Sequence, residues 1–414
     1  MTLTRNARLV ILLGLYVAQG LPTGIYNQAL PAILRHQGVS LQVISLTALL
    51  ALPWALKVFW APFVDRWHHP RFGRARSWIV PLQLACTLLI GAIAFFQPER
   101  LKTTAGIVEF FLMMFLLNLF AATQDVATDG LAVRSLSRKE RSLGNSVQVA
   151  GYRLGLIVGG GVLLYLLGAW TWVGAFLLMG FILLLLTLPL LLYPEPPADQ
   201  AIREPTEYKR IFLTFVRRPG VRSWLWVLVS YKIADSFGSA MVKPMLVDMG
   251  FSLQQLGIQI SAVGSLATVI GALLGGWLTT RWGRYPCLLG FGGLQALGLG
   301  AYGLLSFQWQ PGQAVDPLAV YAINALEHLA SGLATVALLT VVMDHSRHQH
   351  AGADFTLQVS ILAICGGMAH LLAGQSAVWL GYTSYYAVAM GLGVLLLAPV
   401  VFWGRDAGRG VSAL

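Results

Sequence analysis

Apolar residues fall in long stretches along this 414-residue chain, and charged residues lie almost wholly between them. A helix needs about 20 mainly apolar residues to cross roughly 30 Å of hydrocarbon. Twelve such spans are predicted. The first six lie near Arg8–Leu30, Leu41–Val64, Ser77–Gln97, Gly106–Val133, Ser142–Gly168 and Thr171–Tyr193. The second six lie near Ser223–Val247, Leu253–Thr280, Pro286–Phe307, Pro317–Met343, Phe355–Trp379 and Gly381–Trp403. Nothing alternates with the period of a barrel strand, and backbone groups in lipid must be satisfied within their own segment, so the spans are helices. The expected fold is all-α and integral to a membrane.

Composition agrees: 57% of residues are hydrophobic and 11% charged, more apolar side chain than a water-soluble domain can bury. Of the 28 lysines and arginines, 21 fall on the side of the termini, whereas only Arg35, Arg100 and Lys102 fall opposite. The positive-inside rule therefore places both termini in the cytoplasm. The net charge of +11 is a topology signal, and its distribution gives no support to nucleic-acid binding. The first span has no small-residue cleavage motif and is expected to stay as an anchor. Cys86, Cys287 and Cys365 all fall inside spans, a pattern that suggests neither a disulfide framework nor a metal site.

The chain repeats itself at an offset of 215 residues. Asp65-Arg66 with Gly73-Arg74 follows the second span, and Thr280-Arg281 with Gly283-Arg284 follows the eighth. The same shift relates Tyr16 to Tyr231, Asp129 to Asp344, Gly151 to Gly366 and Gly159 to Gly374. A polar, proline-rich stretch beginning at Pro194 separates the halves. The expected organisation is a six-helix bundle over 1–193, a cytoplasmic linker over 194–222 and a second six-helix bundle over 223–414, a parallel repeat about an axis along the membrane normal.

The Asp-Arg…Gly-Arg pattern after span 2, with its degenerate copy after span 8, resembles the signature loop of the major facilitator superfamily. Leu52-Pro-Trp-Ala-Leu-Lys57-Val-Phe-Trp-Ala-Pro62-Phe-Val-Asp65-Arg66, with Gln124-Asp125 and Asp129, is similar to the AmpG-like branch. The opening run from Leu15 to Pro31 is most similar to the RhtX/FptX siderophore importers of that branch. The resemblance implies a twelve-helix fold of two pseudo-symmetric bundles and a cavity lined chiefly by spans 1, 4, 7 and 10. It further implies gating by the loop residues Asp65, Arg66 and Arg74.

Ionisable groups within hydrocarbon are costly, so each is a functional candidate. Those at depth include Lys57, Asp125, Asp129, Arg153, Lys232, Asp235, Glu327 and His328. Asp125, Asp235, Glu327 and His328 are the proton-coupling candidates. Asp129, one helical turn below Asp125, is expected to pair with Arg134 or Lys57 and to serve as a gating latch. Tyr16, Gln19, Thr23, Tyr26 and Asn27 recur at three- or four-residue steps on span 1 and suit a ligand with oxygen acceptors; packing between helices is the alternative. Lys232 and Asp235, three residues apart, can neutralise each other or exchange partners with substrate. Arg153 is a candidate contact for a substrate carboxylate. The small residues Gly151, Gly155 and Gly159–Gly161 read as helix packing. The cluster from Asp344 to His350 lacks the cysteines and firm geometry of a zinc site.

No phosphate-cradling loop, His-Glu-x-x-His or Gly-x-Ser-x-Gly motif occurs, so neither ATP-driven pumping nor hydrolase chemistry has support, and no cofactor is expected. The expectation is a monomeric secondary transporter in the bacterial inner membrane whose partners are lipid and a small-molecule substrate. The resemblance points to proton-coupled import of an iron–siderophore complex by alternating access, and second to a muropeptide permease importing peptidoglycan fragments.

Overall fold

A computed structural model of the chain describes residues 4–39, 43, 46–191, 195, 208–251, 255–256, 261–309 and 315–410. The ends of the spans expected at Leu41, Tyr193 and Leu253, and residues 194 and 196–207 of the expected linker, lie outside the described residues. Every regular element among the described residues is helical. Nine of them are long and apolar enough to cross a membrane. The twelve expected spans reduce to nine because two are broken into short pieces and two run on as one.

α1 starts at Arg5–Gly24, widens to a π-helical turn over Ile25–Ala29 and ends as Leu30–His36. α2 is a chain of short pieces, Leu46–Ala51, Leu52–Leu56, Lys57–Phe59 and Ala61–Arg66. Pro53 and Pro62 sit at the starts of two of these pieces, where a missing N–H costs least. α3 is Arg76–Ala94, α4 is Thr104–Ser135, α5 starts at Arg141–Ile157 and continues through a π turn, Val158–Val162, to Leu163–Ala169, and α6 is Trp172–Leu191. After a short helix, Tyr208–Val216, α7 follows in three pieces, Val221–Ser230, Ile233–Ala240 and Val242–Asp248. α8 is Ser261–Trp282, α9 Arg284–Gln308 and α10 Pro317–His345. The element Ala351–Leu395 bends at Gly381, whose φ of 69° favours glycine, so that α11 (351–380) passes into α12 (382–395, then Ala398–Gly410).

The chain forms two compact units. Unit 1 comprises Met1–Ser137, Val147–Tyr208 and Ser346–Thr356; unit 2 comprises Arg138–Ser146, Lys209–His345 and Leu357–Leu414. The expected boundaries follow chain order, whereas these units exchange two pieces: the first turn of α5 packs within unit 2 and that of α11 within unit 1. The unit 1 core is built on Leu21, Phe110, Met114, Phe176 and Met179. That of unit 2 is built on Met245, Leu299, Tyr302, Tyr385 and Tyr386.

Within unit 1, α1 and α5 meet backbone to backbone. A Cβ at Gly20 would run into the Tyr152 carbonyl oxygen, one at Gly155 into that of Val17, and one at Gly159 into that of Leu21. Small residues at this spacing are what let two helices approach so closely in lipid. By contrast, nothing lies within 4 Å of a Cβ built at Gly161. Gly159→Ala is therefore expected to lower the melting temperature in detergent by several degrees, about 1–3 kcal/mol of overpacking, while Gly161→Ala melts close to the wild type. Equal melting of the two variants would contradict this packing.

Candidate functional site

Four helices of unit 1 converge on a buried charge cluster. Its cation, Lys57, sits on α2 just past the C-terminus of the Leu52–Leu56 piece, the end of a helix that favours positive charge. Lys57 is only 4% exposed, its ammonium pairs with Asp125 of α4, and it lies 5.3 Å from the centre of the Trp54 ring. Trp54 donates to Asn118 Oδ1 at 3.3 Å and Trp60 to Thr123 Oγ1 at 3.1 Å, which fasten α2 against α4 on either side of the lysine.

Asp129, one turn along α4, is 2% exposed. Its Oδ1 accepts hydrogen bonds from the Tyr16 hydroxyl and from Gln148 Nε2, each at 3.1 Å. Asp125 lies one turn away on the same helix. Gly151, whose Cβ would sit 3.0 Å from that of Tyr16, lets α5 bring Gln148 this close. The expected pairing of Asp129 with Arg134 or Lys57 does not form, because Lys57 is taken by Asp125 and Arg134 lies 3.4 Å from Asp65.

The polar series on α1 divides. Tyr16, Gln19 and Thr23 are buried, Tyr26 is half-buried and Asn27 is exposed, because the π turn at Ile25–Ala29 shifts the register beyond Thr23. Thr23 donates back to the Gln19 carbonyl at 3.2 Å, while the Gln19 Nε2 has no partner among the described residues. Arg153 is half-buried on α5.

Unit 2 holds two more pairs. Lys232 and Asp235 lie 2.8 Å apart at the break in α7. On α10, the buried Glu327 carboxylate lies 2.6 Å from Nδ1 of its neighbour His328, which is one-third exposed. Asp125 and Asp129 are brought together, while Asp235 keeps a lysine beside it and Glu327 the ring of His328.

The loop residues gather on the exchanged piece of α11. Asp65 accepts hydrogen bonds from the backbone N–H groups of Gly352 (3.2 Å) and Ala353 (2.7 Å), capping that helix at the end where unpaired donors favour an anion. Arg74 donates to the Gln349 carbonyl at 3.3 Å, and Arg347 grips Asp354 with two bonds of 2.7 Å. Arg66 is half-buried, its carbonyl 3.1 Å from His68 Nδ1. Burial, then the Arg74 charge, lowers the His68 pKa, so this histidine stays neutral near pH 7.

Sequence reasoning missed several contributors. The carboxylate lacking at Thr280 is supplied by Asp344, which binds Arg141 at 2.9 Å and Arg284 at 3.0 Å in unit 2, where Thr280 itself meets Ser142. The shift of 215 residues from Asp129 was its only signal. Glu195 accepts from the backbone N–H groups of Ala75 and Arg76 and so caps α3, and no motif pointed to it. Gln148 was legible only as a polar residue one turn before the glycine series.

A family model described as Major Facilitator Superfamily matches residues 12–369 and 233–413. The anhydromuropeptide permease of Escherichia coli K12 is 28% identical over 402 residues, covering 94% of this chain and 78% of that protein. Among solved structures, a bacterial homologue of the iron transporter ferroportin in an outward-facing state is 15% identical with a TM-score of 0.69, covering 96% of this chain and 99% of that one. The Escherichia coli fucose:proton symporter is 12% identical with a TM-score of 0.68, covering 96% and 97%. At these identities the two structures show a shared fold and nothing finer.

Removing one partner of a buried pair strands the other charge, at about 3–5 kcal/mol. Lys57→Met is expected to lower unfolding stability in detergent by that amount, and adding Asp125→Asn to recover most of it. Additive losses in this double-mutant cycle would contradict the pairing.

Proposed function

Because this chain belongs to the major facilitator superfamily, we propose that it is a proton-coupled permease carrying peptidoglycan fragments of the anhydromuropeptide class inward across the bacterial inner membrane. The lysine and arginine distribution supports cytoplasmic termini. The muropeptide class rests on the Escherichia coli relative that spans nearly the whole chain. The siderophore reading suggested by the opening of α1 has weaker support, since the ferroportin homologue shares only the fold.

The observation that carries the coupling is Asp129, a buried carboxylate held by the neutral donors Tyr16 and Gln148 beside an Asp125 that already has its cation. With Lys57 charged and both aspartates ionised, the cluster has one negative charge too many for a lipid-enclosed site, and one proton removes it. This moves Asp129 from the gating role suggested by its sequence position to the proton site. The substrate contacts proposed are Gln19, Thr23, Tyr26 and Asn27 for the hydroxyl and amide groups of the sugars, with Arg153 and Lys232 for peptide carboxylates.

α2 carries Lys57 of the proton site and Asp65 of the latch, and α4 carries Asp125 and Asp129 of the one and Arg134 of the other. Arg134 follows Asp129 by five residues, about 7.5 Å along the axis, and pairs with Asp65. Protonation of Asp129 changes the field at Arg134 and so the hold of Asp65 on the start of α11.

In proteoliposomes given a radiolabelled anhydromuropeptide, Asp129→Asn is expected to reduce uptake driven by a pH gradient to near background while keeping counterflow exchange. Glu327→Gln is expected to keep both. Full gradient-driven accumulation by Asp129→Asn would remove it from the coupling step, and no uptake by the wild type would reject the substrate class.

A further inference from the structure

The break in α7 carries a charged pair. Lys232, with φ −101° and ψ 0°, lies two residues past the end of Val221–Ser230 and is the N-cap of Ile233–Ala240, whose first turn holds Asp235. The aligned peptide groups of the second piece stabilise the anion in that first turn. Each side chain of the pair is 16% exposed. Lys232 spends one of its three N–H donors on Asp235 at 2.8 Å.

Behind Asp235 lies a small cavity within unit 2, bounded by Tyr231, Asp235, Gly292, Gln295, Ala296 and Gly393. It has room for about one water molecule or a turned carboxylate. Gln295 of α9 is 4% exposed, and its Nε2 has no hydrogen-bond partner among the described residues. A buried donor left unpaired is costly, so an orphan donor beside a carboxylate that is bonded elsewhere calls for an explanation.

We infer that Lys232 is a carboxylate-binding subsite and that Gln295 is the alternative partner of Asp235. A carboxylate of the incoming substrate takes the Lys232 ammonium. Asp235 turns into the cavity and accepts a hydrogen bond from Gln295 Nε2, directly or through one water. The exchange keeps both charges partnered before and after, gives the Gln295 donor the acceptor it lacks, and frees the break in α7 from the Lys232–Asp235 pair that holds it. Asp235 then acts as a positioning residue for helix movement. This rests on the proposed substrate class, whose peptide part ends in carboxylates.

The test compares uptake of a radiolabelled anhydromuropeptide with uptake of the same fragment amidated at its carboxylates. Wild type is expected to show about a ten-fold lower KM for the free acid, the scale of one charge-assisted hydrogen bond. Lys232→Arg keeps that preference. Lys232→Met/Asp235→Asn, which removes both charges and so avoids a stranded carboxylate, abolishes it while still transporting the amidated form. Gln295→Leu keeps the KM preference but lowers kcat, because Asp235 has no donor once displaced. Equal KM for both forms in wild type overturns the Lys232 assignment alone, and an unchanged kcat in Gln295→Leu overturns the exchange. Uptake of neither form by wild type overturns this inference together with the substrate class.

Discussion

A full charge surrounded by hydrocarbon costs several kcal/mol unless an opposite charge or a set of hydrogen bonds meets it. Lys57 meets Asp125 and Lys232 meets Asp235, each within one compact unit, and the buried Glu327 carboxyl lies against the His328 ring. Asp129 differs. It is as deeply buried as any of them, yet a phenol, a primary amide and a neighbouring carboxyl surround it. The surplus negative charge makes this the place where adding or removing one proton changes the electrostatic balance most.

The rest of the architecture conveys that change. α2 owes its broken form to Pro53 and Pro62, and the breaks leave Lys57 at a helix end, where backbone carbonyls favour its charge. α4 is continuous over Thr104–Ser135 and carries Asp125, Asp129 and Arg134 on one rod. Asp65 joins the two by accepting from Arg134 and from the start of α11. The exchanged first turns of α5 and α11 are each held by a carboxylate, Asp344 for one and Asp65 for the other. These holds use charged groups at helix ends, which give way to competing charge more readily than a packed apolar seam does.

Much of this was legible in the sequence. Long apolar runs, the 215-residue repeat and the Asp65–Arg74 loop were enough for the fold, because lipid admits so few alternatives. The i to i+3 spacing of Lys232 and Asp235 foretold their pair, and the spacing of Gly155 and Gly159 foretold a close helix contact. Partner choice across helices was not legible. Arg134 lies five residues from Asp129 in sequence but turns to Asp65, and Gln148 reaches Asp129 only because Gly151 admits α5. The break in α7 has no proline at Lys232 to announce it. The π turn in α1, where Tyr26 is half-buried and Asn27 exposed, has no signal in the sequence. The exchange of first turns between units depends on contacts between distant segments, which no local pattern encodes.

The most direct test is proton movement itself. Proteoliposomes in lightly buffered medium should take up protons when anhydromuropeptide is added outside, turning the medium alkaline in step with uptake of label, and the Asp129→Asn protein should take up none. Uptake of label without a pH change, or an Asp129→Asn protein that still draws in protons with substrate, would contradict the account.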